Sequence, residues 1–253
     1  MKEIPLAFGK RGQKIRGILH LPRNKPTVLI IMSHGWGGNR LGTWNSFFVR
    51  AAREFAKKGY AVFRFDFRGS GDSDGIFEKQ TITSMLKDLD TATDHFSRNS
   101  EMKAKNIILI GHSQGGYVSL LKAAQDKRIR SLILWMGRIS DLKEYWGSMW
   151  FEEMERKGYF HSFENKITSE YAEDSLKYKS LEAAKKIRIP VGMIYGESDS
   201  FIPPSEGMKL FTVLKGQKEL KIIESLDHEF SGEENMKKVI TVTLKWLGKW
   251  SGI

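Results

Sequence analysis

The apolar run Asn106-Ile-Ile-Leu-Ile110 leads directly into Gly111-His112-Ser113-Gln114-Gly115-Gly116, and an Ala/Leu-rich stretch follows from Tyr117 to Gln125. A β-branched run, a glycine-dense turn and a helix-forming stretch in that order predict strand, sharp turn and helix. The serine sits at the apex, in the Gly-x-Ser-x-Gly pattern that holds such a serine in a strained conformation above a sheet edge. Glycines are needed on both sides because strand and helix approach closely there. The helix N-terminus beneath the serine favours negative charge.

The rest of the chain repeats the strand–helix alternation. Apolar runs predict strands near Ile4–Phe8, Ile15–Leu21, Val28–Ser33, Ala61–Asp66, Ile107–Gly111, Leu132–Met136, Val191–Tyr195 and Leu220–Ile223. Between them, helical stretches are predicted at Trp44–Lys58, Thr83–Ser97, Gln114–Asp126, Ser205–Lys215 and Glu233–Trp250. Continuous Val/Ile/Leu/Phe runs fit parallel strands covered on both faces. The expected fold is α/β, a mostly parallel eight-stranded sheet with right-handed crossovers and helices on both faces. No helix separates the first two strands, and the Gly9–Gly12 turn predicts an antiparallel hairpin at the sheet edge.

One segment breaks the rhythm. Residues 137–186 separate the sixth strand from the seventh by far more than a crossover needs. They predict an inserted lid, with residues 1–136 and 187–253 forming the core of a single domain. Trp146, Met149, Trp150 and Met154 fall on one helical face. That face either packs on the body or lines an acyl pocket, and the two are compatible. Trp146, Met149 and Trp150, with Phe201 in a later loop, are the expected substrate contacts.

Composition limits the chemistry. With no cysteine in 253 residues, disulfides and thiolate catalysis are excluded. The net charge of +11 admits a nucleic-acid or anionic-surface binder. Its densest groups, Lys127-Arg128-Ile129-Arg130 and Lys185-Lys186-Ile187-Arg188, follow helices and are not interleaved with aromatics, so a dispersed basic surface is favoured. The N-terminus lacks the apolar length of a signal peptide, and no segment has the length of a membrane span. A soluble, cytoplasmic protein without nucleic-acid partner is expected, and a homodimer is left open.

A serine nucleophile needs a base, and the base needs an orienting acid. His228, in Leu226-Asp227-His228, follows the last strand. It is favoured as base by elimination: His20 lies in an early strand, His95 in a surface-like helix and His161 in the insert. His112 is expected to turn its side chain away, and His34 to brace a loop. Asp199, in Tyr195-Gly-Glu-Ser-Asp199, is favoured as acid over Glu197, Asp141 and Asp227. Both favoured residues stand at C-terminal strand ends, where open α/β sheets carry their sites. The loop His34-Gly35-Trp36-Gly37-Gly38-Asn39 follows the third strand. The N–H groups of Trp36 and Gln114 are therefore the expected donors to a developing oxyanion. No metal or organic cofactor is called for.

Taken together, His34 to Asn39, Gly111 to Gly116, Asp199 and His228 resemble the α/β-hydrolase superfamily over nearly the whole chain. Asp66-Phe-Arg-Gly69-Ser-Gly71-Asp-Ser73-Asp-Gly75 resembles the loop that buttresses that family's site. The His-Gly-aromatic-x-x-Asn and Gly-His-Ser-Gln-Gly-Gly patterns are similar to those of cinnamoyl (feruloyl) esterases and acylglycerol lipases. The resemblance implies Ser113, Asp199 and His228 as a triad, Trp36 and Gln114 as an oxyanion hole, and a small ester of an aromatic or short-to-medium acyl group as substrate. Thioesterases, peptidases and lipases share this chemistry, although peptidases of the fold usually carry a further propeller domain. A non-catalytic binding protein on the same fold is the rival from another class.

Overall fold

A computed structural model describes residues 1–99, 102, 104–162 and 165–250. Ten strands and nine α-helices alternate among the described residues. The strands are β1 (Lys2–Phe8), β2 (Ile15–Leu21), β3 (Val28–Ser33), β4 (Ala61–Asp66), β5 (Asn106–His112), β6 (Ile129–Trp135), β7 (Tyr159–Ser162), β8 (Asn165–Thr168), β9 (Val191–Gly196) and β10 (Lys218–Ile223). The helices are α1 (Phe47–Lys57), α2 (Ile82–Asp94), α3 (Ser113–Gln125), α4 (Leu142–Trp146), α5 (Ser148–Lys157), α6 (Ser169–Ser175), α7 (Ser180–Ala184), α8 (Pro204–Val213) and α9 (Glu233–Trp250).

Eight strands form one sheet in the order β1-β2-β4-β3-β5-β6-β9-β10. β1 pairs with β2, and β2 with β4, in antiparallel register, as the Gly9–Gly12 turn requires at this edge. Every pair from β4 onward is parallel. Each residue of β3, β4 and β9 is buried, which only cover on both faces allows. α1 and α9 contact each other, and α2, α3, α7 and α8 form a second contiguous row. The outermost β1 and β10 are more exposed, as edge strands must be.

Aromatic side chains fill the core. Trp135, at the end of β6, is fully buried among Phe47, Phe48 and Phe230, with ring centroids 5.1–5.8 Å away. Its indole N–H donates to Thr243 Oγ1 of α9 at 3.1 Å, so the buried polar atom has a partner. β6 starts three residues before its predicted start, because Ile129 and Ser131 pair with Ile107 and Ile108 of β5 around an exposed Arg130. The predicted end of the second helix is instead a π-helical turn, His95–Asn99. There His95 stacks on Phe8 at 3.9 Å and is not a free surface residue.

The segment between β6 and β9 carries α4 to α7 and the antiparallel β7–β8 hairpin. It has a smaller apolar cluster of its own, in which Met154, Phe160, Ile167 and Tyr171 pack on Tyr117 and Leu121 of α3 and Ile82 of α2. No described helix is long and apolar enough to cross a membrane.

Candidate active site

Ser113 is the first residue of α3 and has φ +52°, in the left-handed region that a serine rarely adopts. The surrounding glycines are dictated by contact. A Cβ on Gly115 would lie 2.4 Å from the carbonyl oxygens of Ser33 and His34, and one on Gly116 would lie 2.6 Å from Gly137 Cα. The strand-to-helix turn is thus wedged between the ends of β3 and β6. Gln114 has one of the first N–H groups of the helix, which intrahelical bonding leaves unpaired.

His228 stands in the loop between β10 and α9. Its Nδ1–H donates to Asp199 Oδ2 at 2.7 Å. Asp199 is buried after β9, and its Oδ1 accepts from the N–H groups of Phe201 and Ile202, each at 2.8 Å. Three donors therefore fix one carboxylate and, through it, one imidazole. Of the competing acids, Asp141 accepts from Lys179 Nζ at 2.9 Å and Asp227 from the Ser231 N–H at 2.8 Å, while Glu197 is exposed.

His112 does not turn away from the site, as its place in the elbow predicted. Its Nε2–H donates to the main-chain carbonyl of His228 at 3.1 Å, and the two rings lie 4.7 Å apart. Burial, helped by the neighbouring His228, pushes its pKa well below the usual histidine range. It remains a neutral brace. His34 does brace its loop: Nε2 accepts from the Phe67 N–H at 3.1 Å and Nδ1–H donates to the Gly35 carbonyl at 2.8 Å. Burial lowers its pKa as well. Asp66 secures the same loop, accepting from the Arg40 N–H at 2.6 Å and the Asp72 N–H at 2.9 Å and pairing with the Arg40 guanidinium. A Cβ on Gly71 would strike the Asp66 carboxylate at 2.4 Å, so the Asp66–Gly75 loop closes only with glycine there.

Trp36, Ser113, Gln114, Phe201 and His228 line one cavity of about 620 Å³. The Phe201 ring lies 5.4 Å from the His228 ring. From the inserted segment, Leu142, Tyr145 and Tyr171 reach the same cavity. None of these three was singled out in the sequence. The side chains of Trp146, Met149 and Trp150, which were, lie outside the described residues; Met154 is buried in the apolar cluster of the insert. Two further groups escaped the sequence reading. Arg138 is buried and lines the cavity. Glu206 of α8 is buried and accepts from the N–H groups of Ile139 and Ser140 at 2.8 and 2.6 Å, clamping the start of the insert. Neither carries a local motif, since each is defined by neighbours distant along the chain. Among the described residues no group of three or more His, Asp or Glu side chains could hold a metal ion.

Known proteins resemble the chain over most of its length. It is 24% identical over 262 residues to an uncharacterized 31.7 kDa protein of Escherichia coli, covering 87% of this chain and 90% of the relative. It is 25% identical over 184 residues to the acetyl esterase Axe7A of Xylanibacter ruminicola, covering 72% of this chain and 38% of that enzyme. With the palmitoyl-protein thioesterase ABHD10 of Bos taurus it shares 26% over 215 residues, 78% of this chain and 61% of the relative. Among solved structures, ferulic acid-bound Est1E of Butyrivibrio proteoclasticus superposes with a TM-score of 0.88 at 20% identity, covering 98% of this chain and all of that one. The sheet order, the flanking helices and that superposition are those of the α/β-hydrolase fold. The model of the prolyl oligopeptidase family matches residues 45–253, which take in the serine turn and both strand-end loops, and the chain belongs to that family.

Proposed function

We propose that the protein is a serine carboxylic-ester hydrolase. The observation that carries this reading is the 2.7 Å bond from His228 Nδ1–H to the anchored Asp199, with Ser113 at the apex of a strained turn in the same cavity. A bond at Nδ1 leaves Nε2 of His228 as the acceptor for a serine proton.

In the proposed reaction Ser113 Oγ attacks the ester carbonyl as His228 Nε2 takes its proton. Asp199 holds the imidazole in the required tautomer and stabilises its charged form. The N–H groups of Trp36 and Gln114 receive the oxyanion. His228 then gives its proton to the departing alcohol. Water, deprotonated by His228, cleaves the acyl-enzyme and releases acid and free Ser113. The inserted segment acts as a lid whose Leu142, Tyr145 and Tyr171 complete the acyl pocket. An aromatic-rich wall of Trp36, Tyr145, Tyr171 and Phe201 supports an aromatic, feruloyl-type acyl group. Similarity to a palmitoyl-protein thioesterase favours thioester cleavage as the second reading, since the same acyl-enzyme serves both.

The test is initial hydrolysis by wild type and Ser113→Ala of methyl ferulate, p-nitrophenyl acetate, butyrate and octanoate, a palmitoyl thioester and a peptide p-nitroanilide. Wild type should turn over esters, methyl ferulate best, and Ser113→Ala should lose about 10⁴-fold or more in kcat. Turnover of the anilide alone would replace the esterase reading with a peptidase. Inactivity on every substrate would remove the hydrolase reading.

A further inference from the structure

The cavity contains a buried cation without an anion. Arg138 follows β6 and is only 2% exposed, yet it lines the cavity beside Gln114 and Tyr171. Its guanidinium is held from several sides. Nε–H donates to Gln114 Oε1 at 3.1 Å, Nη1–H donates to the Ser140 carbonyl, and the group lies 3.9 Å over the Tyr117 ring. Nη2 makes no hydrogen bond of good geometry, the neutral Tyr117 and Tyr171 hydroxyls are further polar groups that interact with the guanidinium, and Arg138 takes part in no ion pair among the described residues. The nearby carboxylates are engaged elsewhere: Asp199 by His228, Asp141 by Lys179, and Glu206 by Lys209 and the Ile139 and Ser140 amides.

A buried guanidinium is costly unless it is paired, and a tyrosine face offsets only part of that cost. Two more donors beside this cavity are also unmatched. Gln114 Nε2 and Trp36 Nε1 are both buried without a partner, and both residues line the same space. Gln114 Oε1 is committed to Arg138, so the amide can present only its NH₂ to the cavity. One positive charge and three unmatched donor atoms thus belong to residues that line one cavity, and their complement is an anion with several acceptor sites. A carboxylate matches it, because the free edge of a fixed guanidinium and an amide NH₂ can share its two oxygens.

We infer that the substrate is an ester bearing a free carboxylate, which Arg138, with Gln114 Nε2 and Trp36 Nε1, binds at the insert side of the cavity. This rests on the ester-hydrolase reading above and adds the substrate class to it. Arg138 contributes through binding and has no part in the bond-breaking steps. Hydrolysis of such an ester consumes one water and yields an alcohol and an acid, with the recognition carboxylate unchanged.

The experiment compares two ester series with wild type, Arg138→Met and Arg138→Lys. One series places the anion in the acyl half, as the monomethyl esters of succinate to suberate. The other places it in the alcohol half, as the acetyl esters of glycolate and 4-hydroxybutyrate. Each ester is paired with its neutral carboxamide counterpart. Wild type should prefer the anionic member of at least one pair by about tenfold or more in kcat/KM, mainly through KM. Arg138→Met should reduce that preference by at least about tenfold, and Arg138→Lys should retain part of it. Equal turnover of both members by wild type, or an unchanged preference in Arg138→Met, would overturn the inference while leaving the esterase reading intact. If wild type cleaves no ester, calorimetry decides separately, with wild type and Arg138→Met titrated with monomethyl adipate and its carboxamide. Selective binding of the anion that Arg138→Met loses would uphold the carboxylate site, and absence of selective binding would overturn it. Circular dichroism melting of each variant checks that the fold is retained.

Discussion

The strand ends that carry Ser113, Asp199 and His228 and the segment between β6 and β9 solve the same problem with different means. The first are backbone-locked. A Cβ on Gly115 would collide with β3, Asp199 is held by two main-chain amides, and even the carbonyl of His228 is tied to His112. The second consists of short helices and a hairpin of two four-residue strands, packed by side chains onto α2 and α3. Main-chain locks fix atoms to the tolerance that acyl transfer needs. Side-chain packing fixes a wall but lets its composition change. In the proposed reaction the chemistry belongs to the locked region, and the fit to the acyl group to the packed one.

The largest test of this division is Asp199→Asn. It keeps the size of the side chain and its acceptor for the Phe201 and Ile202 amides but turns the His228 tautomer. kcat on the preferred ester should fall by about 10³–10⁴-fold with little change in KM. A comparable rise in KM would mean that the locked region also sets binding. Gly115→Ala comes next. Added atoms meet backbone on β3, so stability should drop by about 2–3 kcal/mol, read from urea denaturation, along with activity. An unchanged midpoint would show the elbow to be looser than its contacts imply.

Phe160→Ala removes the centre of the insert's cluster. Local opening there should become easier by about 3 kcal/mol. Hydrogen exchange across 142–178 should accelerate, while the main melting transition moves by only about 2–3 °C. A shift as large as that of Gly115→Ala would show insert and body to be one cooperative unit. The smallest effect concerns acid. His20, buried in β2 with Arg64 Nε–H donating to it at 2.8 Å, has its pKa pushed down to about 4 by burial first and the Arg64 charge second. The native state therefore keeps it neutral where the unfolded chain already protonates. Stability is full above pH 6.5 and declines as pH falls from 6.5 toward 4, by about 2–3 kcal/mol from this group. His34 and His112 act in the same direction, so acid should loosen the sheet body rather than the insert. His20→Gln should flatten part of that slope in urea titrations at pH 4.5 and 7. An unaltered slope would place the sensitivity elsewhere.

What could be read in the sequence follows the same line. Strands buried on both faces leave continuous apolar runs, and backbone-locked turns leave glycines, so the sheet and the loop carrying Trp36 were visible. So were the elbow and the order Ser113, Asp199, His228. The insert is held by side chains whose partners lie more than ninety residues away, as with Thr83 and Asp174, and such pairs leave no periodic signature. Hence Leu142, Tyr145 and Tyr171, which line the cavity, carry no pattern along the chain that marks them out. Arg138 and Glu206 belong to no motif, and only the fold brings them inside. His112 was misplaced for the opposite reason: the motif located its backbone well but said nothing of the loop that comes to lie against its ring.

The Glu206 clamp bears on how such a chain can diversify. A carboxylate on α8 grips Ile139 and Ser140, and Gly137 touches the elbow at Gly116, so the entry to the insert is moored twice to parts that need not vary. Its exit is moored where Ser180 bonds the Ile139 carbonyl, which brings both ends of the segment to a single point. A loop with joined ends behaves as a cassette. Whole segments of different length can be exchanged at that junction without disturbing the strand ends, and this makes residues 141–179 the natural place to graft new substrate preferences onto the protein.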